Sequence, residues 1–176
     1  MSVIINGSAG VTTNSGAVYD GIQRGTAVTA SGTSVDFTSI PSWVKRITVM
    51  FSGVSTNGIS PILIQLGDSG GFETTGYSSS AVRVGASSSS YLTSTAGFLV
   101  QDSTIAASLY NGAATILFIG SNNWAQTSFV SSPSASNSGN TGAGSKTLSD
   151  TLDRVRITTV NGTDTFDAGT INILYE

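Results

Sequence analysis

The chain contains no histidine and no cysteine among its 176 residues. Without imidazole it lacks the one side chain whose unperturbed pKa suits it to act as a general base near neutral pH. Without thiols it can form neither disulfides nor thiolate metal sites, and zinc and most transition-metal centres lose their usual ligands. Charge is scarce too: Asp, Glu, Lys and Arg make up 10% of the chain, against roughly 25% in soluble domains generally. Seven basic residues stand against ten acidic ones, a formal charge of −3. That excludes the electrostatic footprint of a nucleic-acid binder. The basic pair Lys45-Arg46 lies in a strand pattern and reads as a solvated strand face. No run of about twenty apolar residues is present to cross a membrane as a helix. Residues Met1 to Gly7 have neither the basic region nor the apolar core of a secretory signal, so any passage out of a cell is expected by lysis.

What remains is apolar and hydroxyl-rich. Apolar residues make up 39% of the chain and glycine contributes 21 residues, with a mean hydropathy of +0.17. A disordered chain needs low hydrophobicity with high net charge, so this one folds. Its length suits a single domain, or a domain with an arm. Ser and Thr fill most polar positions, and hydroxyls cost little to desolvate, which favours packing against other proteins or glycans.

The clearest pattern lies between Leu152 and Glu176. Val155, Ile157 and Thr159 alternate with Arg154, Arg156 and Thr158, and later Ile171, Ile173 and Tyr175 alternate with Thr170, Asn172 and Leu174. A period of two is that of a half-buried strand. Asn161-Gly162 predicts a tight hairpin between these arms, Gly169 a bulge, and 170–175 a closing strand deep in the sheet. Further strands are expected at 26–30, 34–37, 43–54, 62–66, 72–77, 81–84, 91–100 and 124–130. The run Ala114 to Ile119 reads as a central strand covered on both faces, with Trp43 in the core and 131–147 as the longest loop. No window shows capped helical periodicity. Together these predict an all-β chain, an antiparallel β-sandwich of jelly-roll character. Residues 1–25, with isolated apolar positions among Gly and small polar residues, are expected to form either an extended arm or a first strand and loop ahead of a domain over 26–176.

Motifs of chemistry fail one by one. Gly67-Asp68-Ser69-Gly70-Gly71 matches the nucleophile segment of trypsin-like proteases letter for letter, but a serine needs a base and no histidine exists. Lys45 and Lys146 have no recognisable Ser-Lys context, so the segment reads as a Gly-rich turn between strands. Asp150 with Asp153, and Asp164 with Asp167, could pair as glycosidase acids or metal ligands. Beside turns, however, Asp more often caps backbone N–H groups. Gly139 to Gly144 lacks the ending of a phosphate loop. No catalytic residue, cofactor or metal site is expected. Tyr91 after a serine run and Trp124 beside Asn122-Asn123 are the aromatics that would hold a sugar if one is bound, although core packing is the favoured reading for each.

Two stretches carry a resemblance. Residues Gly25 to Val28, Val35-Asp36-Phe37-Thr38-Ser39-Ile40-Pro41-Ser42-Trp43-Val44-Lys45-Arg46-Ile47-Thr48-Val49 and Gln65 to Gly71 form the first; Leu152 to Thr159 and Phe166 to Tyr175 form the second. They resemble a module recurrent in tailed-bacteriophage virion surface proteins, both tail-fibre-like and decoration proteins. The resemblance implies a non-enzymatic structural protein made in the host cytoplasm and carried on the virion surface. Coiled-coil heptads and collagen repeats are absent, so a capsid decoration (cement) protein is favoured over a free-standing fibre. A homotrimer is expected, with the major capsid protein or a tail protein as partner. The arm residues Ile4, Ile5, Val11, Val18, Tyr19 and Arg24 are expected to dock it. The alternative is a fibre-tip or baseplate-associated adhesin that meets a host glycan through Tyr91 and Trp124. Neither nucleic-acid binding nor membrane insertion is expected.

Overall fold

The computed structural model describes residues 3–6, 10–13, 18–19 and 21–176, except 86–87, 103–104, 107 and 134–136; side chains are described from residue 21 onward. Strands β1 (Val3–Asn6), β2 (Gly10–Thr13) and β3 (Val18–Tyr19) pair as a small antiparallel sheet of their own. After them come β4 (Gln23–Arg24), β5 (Val28–Thr29), β6 (Ser34–Phe37), β7 (Arg46–Thr56), β8 (Ile62–Asp68) and β9 (Gly71–Phe72). The chain continues through β10 (Ser78–Gly85), β11 (Ser89–Ser94), β12 (Phe98–Leu99) and β13 (Tyr110–Gly120). It closes with β14 (Asn123–Ser132), β15 (Ser138–Thr147), β16 (Arg154–Thr159) and β17 (Phe166–Tyr175). None of the described residues is helical.

These strands build an antiparallel β-sandwich. The larger sheet runs β11-β10-β15-β14-β13-β7-β17-β4, with β5 also on β17; the smaller runs β12-β8-β16-β6, with β9 on β8. The chain changes sheet at most of its connections. The order β5-β17-β7-β13 faces β6-β16-β8-β12, which is the pair of four-stranded layers that two Greek keys make in a jelly roll. Strands β10–β11 and β14–β15 are insertions into that frame, and they extend the larger sheet beyond β13.

Alternation along each strand sets the core. Ile47, Val49 and Phe51 of β7 with Ile171 and Ile173 of β17 meet Ile62, Ile64 and Leu66 of β8 and Val155 and Ile157 of β16. All are 5% exposed or less, and each such burial contributes roughly 1.5–3 kcal/mol. Strand β8 is buried along its whole length. Its Leu63 points away from the main core and joins Leu99 and Ala81 in a second cluster. The extension therefore wraps past β12, the end strand of the smaller sheet, to cover that sheet's far side.

The structure corrects several sequence expectations. The last two strands are not a hairpin: β16 pairs with β8 and β6, whereas β17 pairs with β7 in the other sheet. Asn161-Gly162 does turn the chain, with Gly162 at φ +68°. Asp164 then accepts from the Ser60 N–H at 2.9 Å and from Asn161 Nδ2 at 2.7 Å, drawing the loop toward the β7–β8 connection. The predicted bulge at Gly169 is present, at φ +91° within the register shift from Ala168 to Thr170. Much of the expected loop 131–147 is β15, a ten-residue strand inside the larger sheet. Its glycines are where backbones cross: a Cβ on Gly142 collides with the Leu99 carbonyl oxygen, and one on Gly144 lies 2.6 Å from the Ser78 carbonyl oxygen. Strand β13 is central but covered on one face only, since Leu117 and Ile119 are 43% and 63% exposed. Trp43 precedes β7 and is half exposed, with its ring against Tyr175. Of the expected strand 72–77, only Phe72 is in ladder pairing.

Candidate interaction surface

The alternation that buries one side of the larger sheet presents the other to solvent. Register aligns its outward side chains in rows across six strands from β7 to β11. Met50, Ala113, Phe129, Thr141, Val82 and Tyr91 form one row. Thr48, Thr115, Thr127, Ala143, Ser80 and Thr93 form the next. Among the described residues, no outward position of β13, β14, β15, β10 or β11 carries a charge. Arg46, at the start of β7, pairs with Glu176, and Arg83 of β10, on the inward side of its strand, donates to Ser90 Oγ at 3.2 Å. Large apolar side chains stand out of this face: Phe129 is 65% exposed, and Tyr91, Ile119 and Leu117 are also exposed. Scattered apolar residues are normal on a protein surface, and the absence of charge across adjoining strands makes this face the candidate surface.

Toward its β11 end the face dips into a groove of about 460 Å³. Tyr91, Ser78, Ser80, Thr93, Thr95 and Ser145 line it over Ala143 and Gly144. The antiparallel register puts these hydroxyls together, with Ser80 opposite both Thr93 and Ala143, and Ser78 opposite Ser145. The groove offers an exposed aromatic ring and neutral donors and acceptors.

Of the two aromatics expected to contact a glycan, only Tyr91 is on this surface. Trp124 takes the core position favoured for it, which corrects its candidacy as a glycan contact: it is 3% exposed, with its ring centroid 5.1 Å from that of Phe118. Asn122-Asn123 correctly marked the turn, but the pleat starting at Asn123 points Trp124 inward, opposite Lys146. Arg24 is exposed and lies in β4, opposite Leu174, so the end of the expected arm is a strand of the larger sheet. The side chains of Ile4, Ile5, Val11, Val18 and Tyr19 lie outside the described residues. Phe129 and Leu117 were missed because each sits beside another apolar residue, Val130 and Phe118, so the sequence leaves open which of the two faces water.

The densest group of ionisable side chains lies elsewhere, around Gly67 to Gly71. That segment is a turn, with Asp68 opposite Gly71 and the Gly70 N–H donating to Asp68 Oδ1 at 2.8 Å. Ser149 Oγ lies 2.6 Å from Asp68 Oδ2 and 2.8 Å from Glu73 Oε1, its single proton shared between them. Lys146 Nζ sits 2.5 Å from Glu73 Oε2. The Ser149 hydroxyl, helped by the Gly70 N–H, holds the Asp68 carboxyl below its usual range. Burial pushes Glu73 upward but is outweighed by Lys146 and Ser149, so it too titrates low. Carboxylates held this way are poor bases, and Ser149 has no partner able to take its proton near neutrality. The cluster ties the β15–β16 connection to the β8–β9 turn. Other carboxylates among the described residues are engaged locally as well: Asp36 grips Arg156 in a two-point pair at 2.7 and 2.8 Å, Asp153 pairs with Arg154, and Asp167 accepts from Ser55 Oγ.

No family model, curated protein or solved structure matches this chain.

Proposed function

We propose that the protein is a non-enzymatic structural component of a tailed-phage virion surface, a decoration protein that docks on the capsid shell as a homotrimer and braces it. The observation that supports this reading most is the broad uncharged outer face of the larger sheet. Its apolar side chains can be buried and its hydroxyls can exchange water for a partner's hydrogen bonds, with no ion to desolvate. The resemblance of the two ends of the domain to a virion module supplies the setting. Made in the host cytoplasm, the protein meets the major capsid protein or a tail protein during assembly. Quantitative mass spectrometry of purified particles tests the reading: copies in proportion to the shell are expected, with heads lacking the protein less resistant to heat.

The Tyr91 groove favours a second reading, an adhesin at a fibre tip or baseplate that recognises a neutral host glycan. An aromatic ring ringed by hydroxyls suits a sugar's apolar face and its rim of hydroxyls. On that reading, few copies occur per particle, the soluble protein blocks adsorption to host cells, and Tyr91→Ala removes the block.

A further inference from the structure

We propose that copies of this chain meet one another through the outer face of the larger sheet, with Phe129 near the centre of the contact. This rests on the structural role assigned to that face and names its partner. The first argument is size. Six strands from β7 to β11 contribute; at about 4.8 Å between strands and roughly eight residues of about 3.3 Å each, they present about 600 Å². Two such surfaces together remove about 1,200 Å², the lower bound for a specific, stable interface.

The second argument is charge. A partner bearing Lys, Arg, Asp or Glu would bury those ions against a face with nothing to pair them, at a cost of several kcal/mol per ion, on the order given for desolvated charges. An identical face brings no ion with it and meets no like charge. Relief adds to this. Phe129 stands between Ala113 and Thr141 in its row, and a Cβ added at Gly139 would come within 3.8 Å of its ring, so small residues surround the protruding one. That juxtaposition suits insertion of the same side chain from a second copy between small neighbours.

Light scattering on the full chain after size-exclusion chromatography tests this. The wild-type protein should elute at two or three times the mass of one chain at micromolar concentration. Phe129→Lys should weaken assembly at least tenfold and give monomer with an unchanged far-ultraviolet circular dichroism spectrum. Thr127→Lys, at an exposed position in the adjacent row, should do the same and decides the matter should Phe129→Lys fail to fold. Val160→Lys, exposed but off this face, should leave the mass unaltered. A monomeric wild-type protein, or an oligomer that Thr127→Lys leaves intact, overturns the proposal. Location in particles is a separate measurement: a virion protein that is monomeric in solution refutes only the contact, and an oligomer absent from particles refutes only the virion role.

Discussion

Lys146 Nζ sits 2.5 Å from Glu73 Oε2, and the lysine side chain is only 6% exposed while the glutamate is 22% exposed. Lys146 also lies over the Tyr77 ring, 5.2 Å from its centroid. This asymmetry of burial makes the two halves of the pair unequal. Glu73→Ala leaves an ammonium without a partner inside the sandwich and is expected to cost about 3 kcal/mol, the order for breaking a buried pair. Lys146→Met leaves a carboxylate that still reaches water and Ser149, and should cost about 1 kcal/mol. Urea unfolding of both variants checks the order; equal losses contradict it.

Asp68, Glu73 and Asp164 all have carboxyl pKa values lowered in the folded protein. For Asp164 the cause is the Asn161 amide, then the Ser60 N–H. A lowered folded-state pKa means the unfolded chain binds the proton more readily. The stabilisation is thus present above the unfolded value, near 4, and is lost as pH falls through the folded value. The urea midpoint should be nearly flat from pH 7 to about 5 and fall below about 4. Replacing Asp68 by Asn and Glu73 by Gln together should flatten the acid limb, and an unchanged limb in that double variant counts against the assignment.

At Gly142 any side chain runs into the Leu99 carbonyl oxygen, where β12 crosses β15. Backbone cannot give way as a flexible side chain can, so Gly142→Ala is expected to destabilise by about 1–3 kcal/mol, the range for overpacking. Gly21→Ala, which meets nothing within 4 Å, is the control and should be close to neutral. Thermal unfolding of the two variants separates them.

The aromatic residues divide by depth. Trp124→Ala empties a core site and should cost about 3–5 kcal/mol, whereas Tyr91→Ala, 66% exposed in the single chain, should stay within about 0.5 kcal/mol when made in the monomeric Thr127→Lys background. Chemical denaturation reads both. A small loss at Trp124 would mean the ring is not packed as described.

Strand character was legible wherever one face is apolar and the other polar, as in Val155-Arg156-Ile157 and Ile171-Asn172-Ile173, because burial itself writes the period of two. Pairing was not. Arg154–Thr159 and Phe166–Tyr175 looked like a hairpin because a short Asn-Gly turn favours one, but six residues separate them and the intervening Asp164 bonds across to Ser60. Strand β15 was unreadable because its inward positions include Gly142 and Gly144, where a crossing backbone leaves no room for an apolar side chain. The uncharged face was only half legible: composition showed that charge is scarce, but only the register of β7, β13, β14, β15, β10 and β11 gathers the hydroxyls and Phe129 onto one surface. Tyr91 could be picked out from its serine neighbours; Trp124 could not be placed inward until its strand was seen to begin at Asn123.

Averaged images of purified particles, labelled through a tag on this chain, bear most directly on the virion reading. Density repeating over the capsid shell, with the outer face of the larger sheet covered by neighbouring molecules, is the expected result. Particles without the protein, or label confined to a few copies at the tail tip, would contradict it.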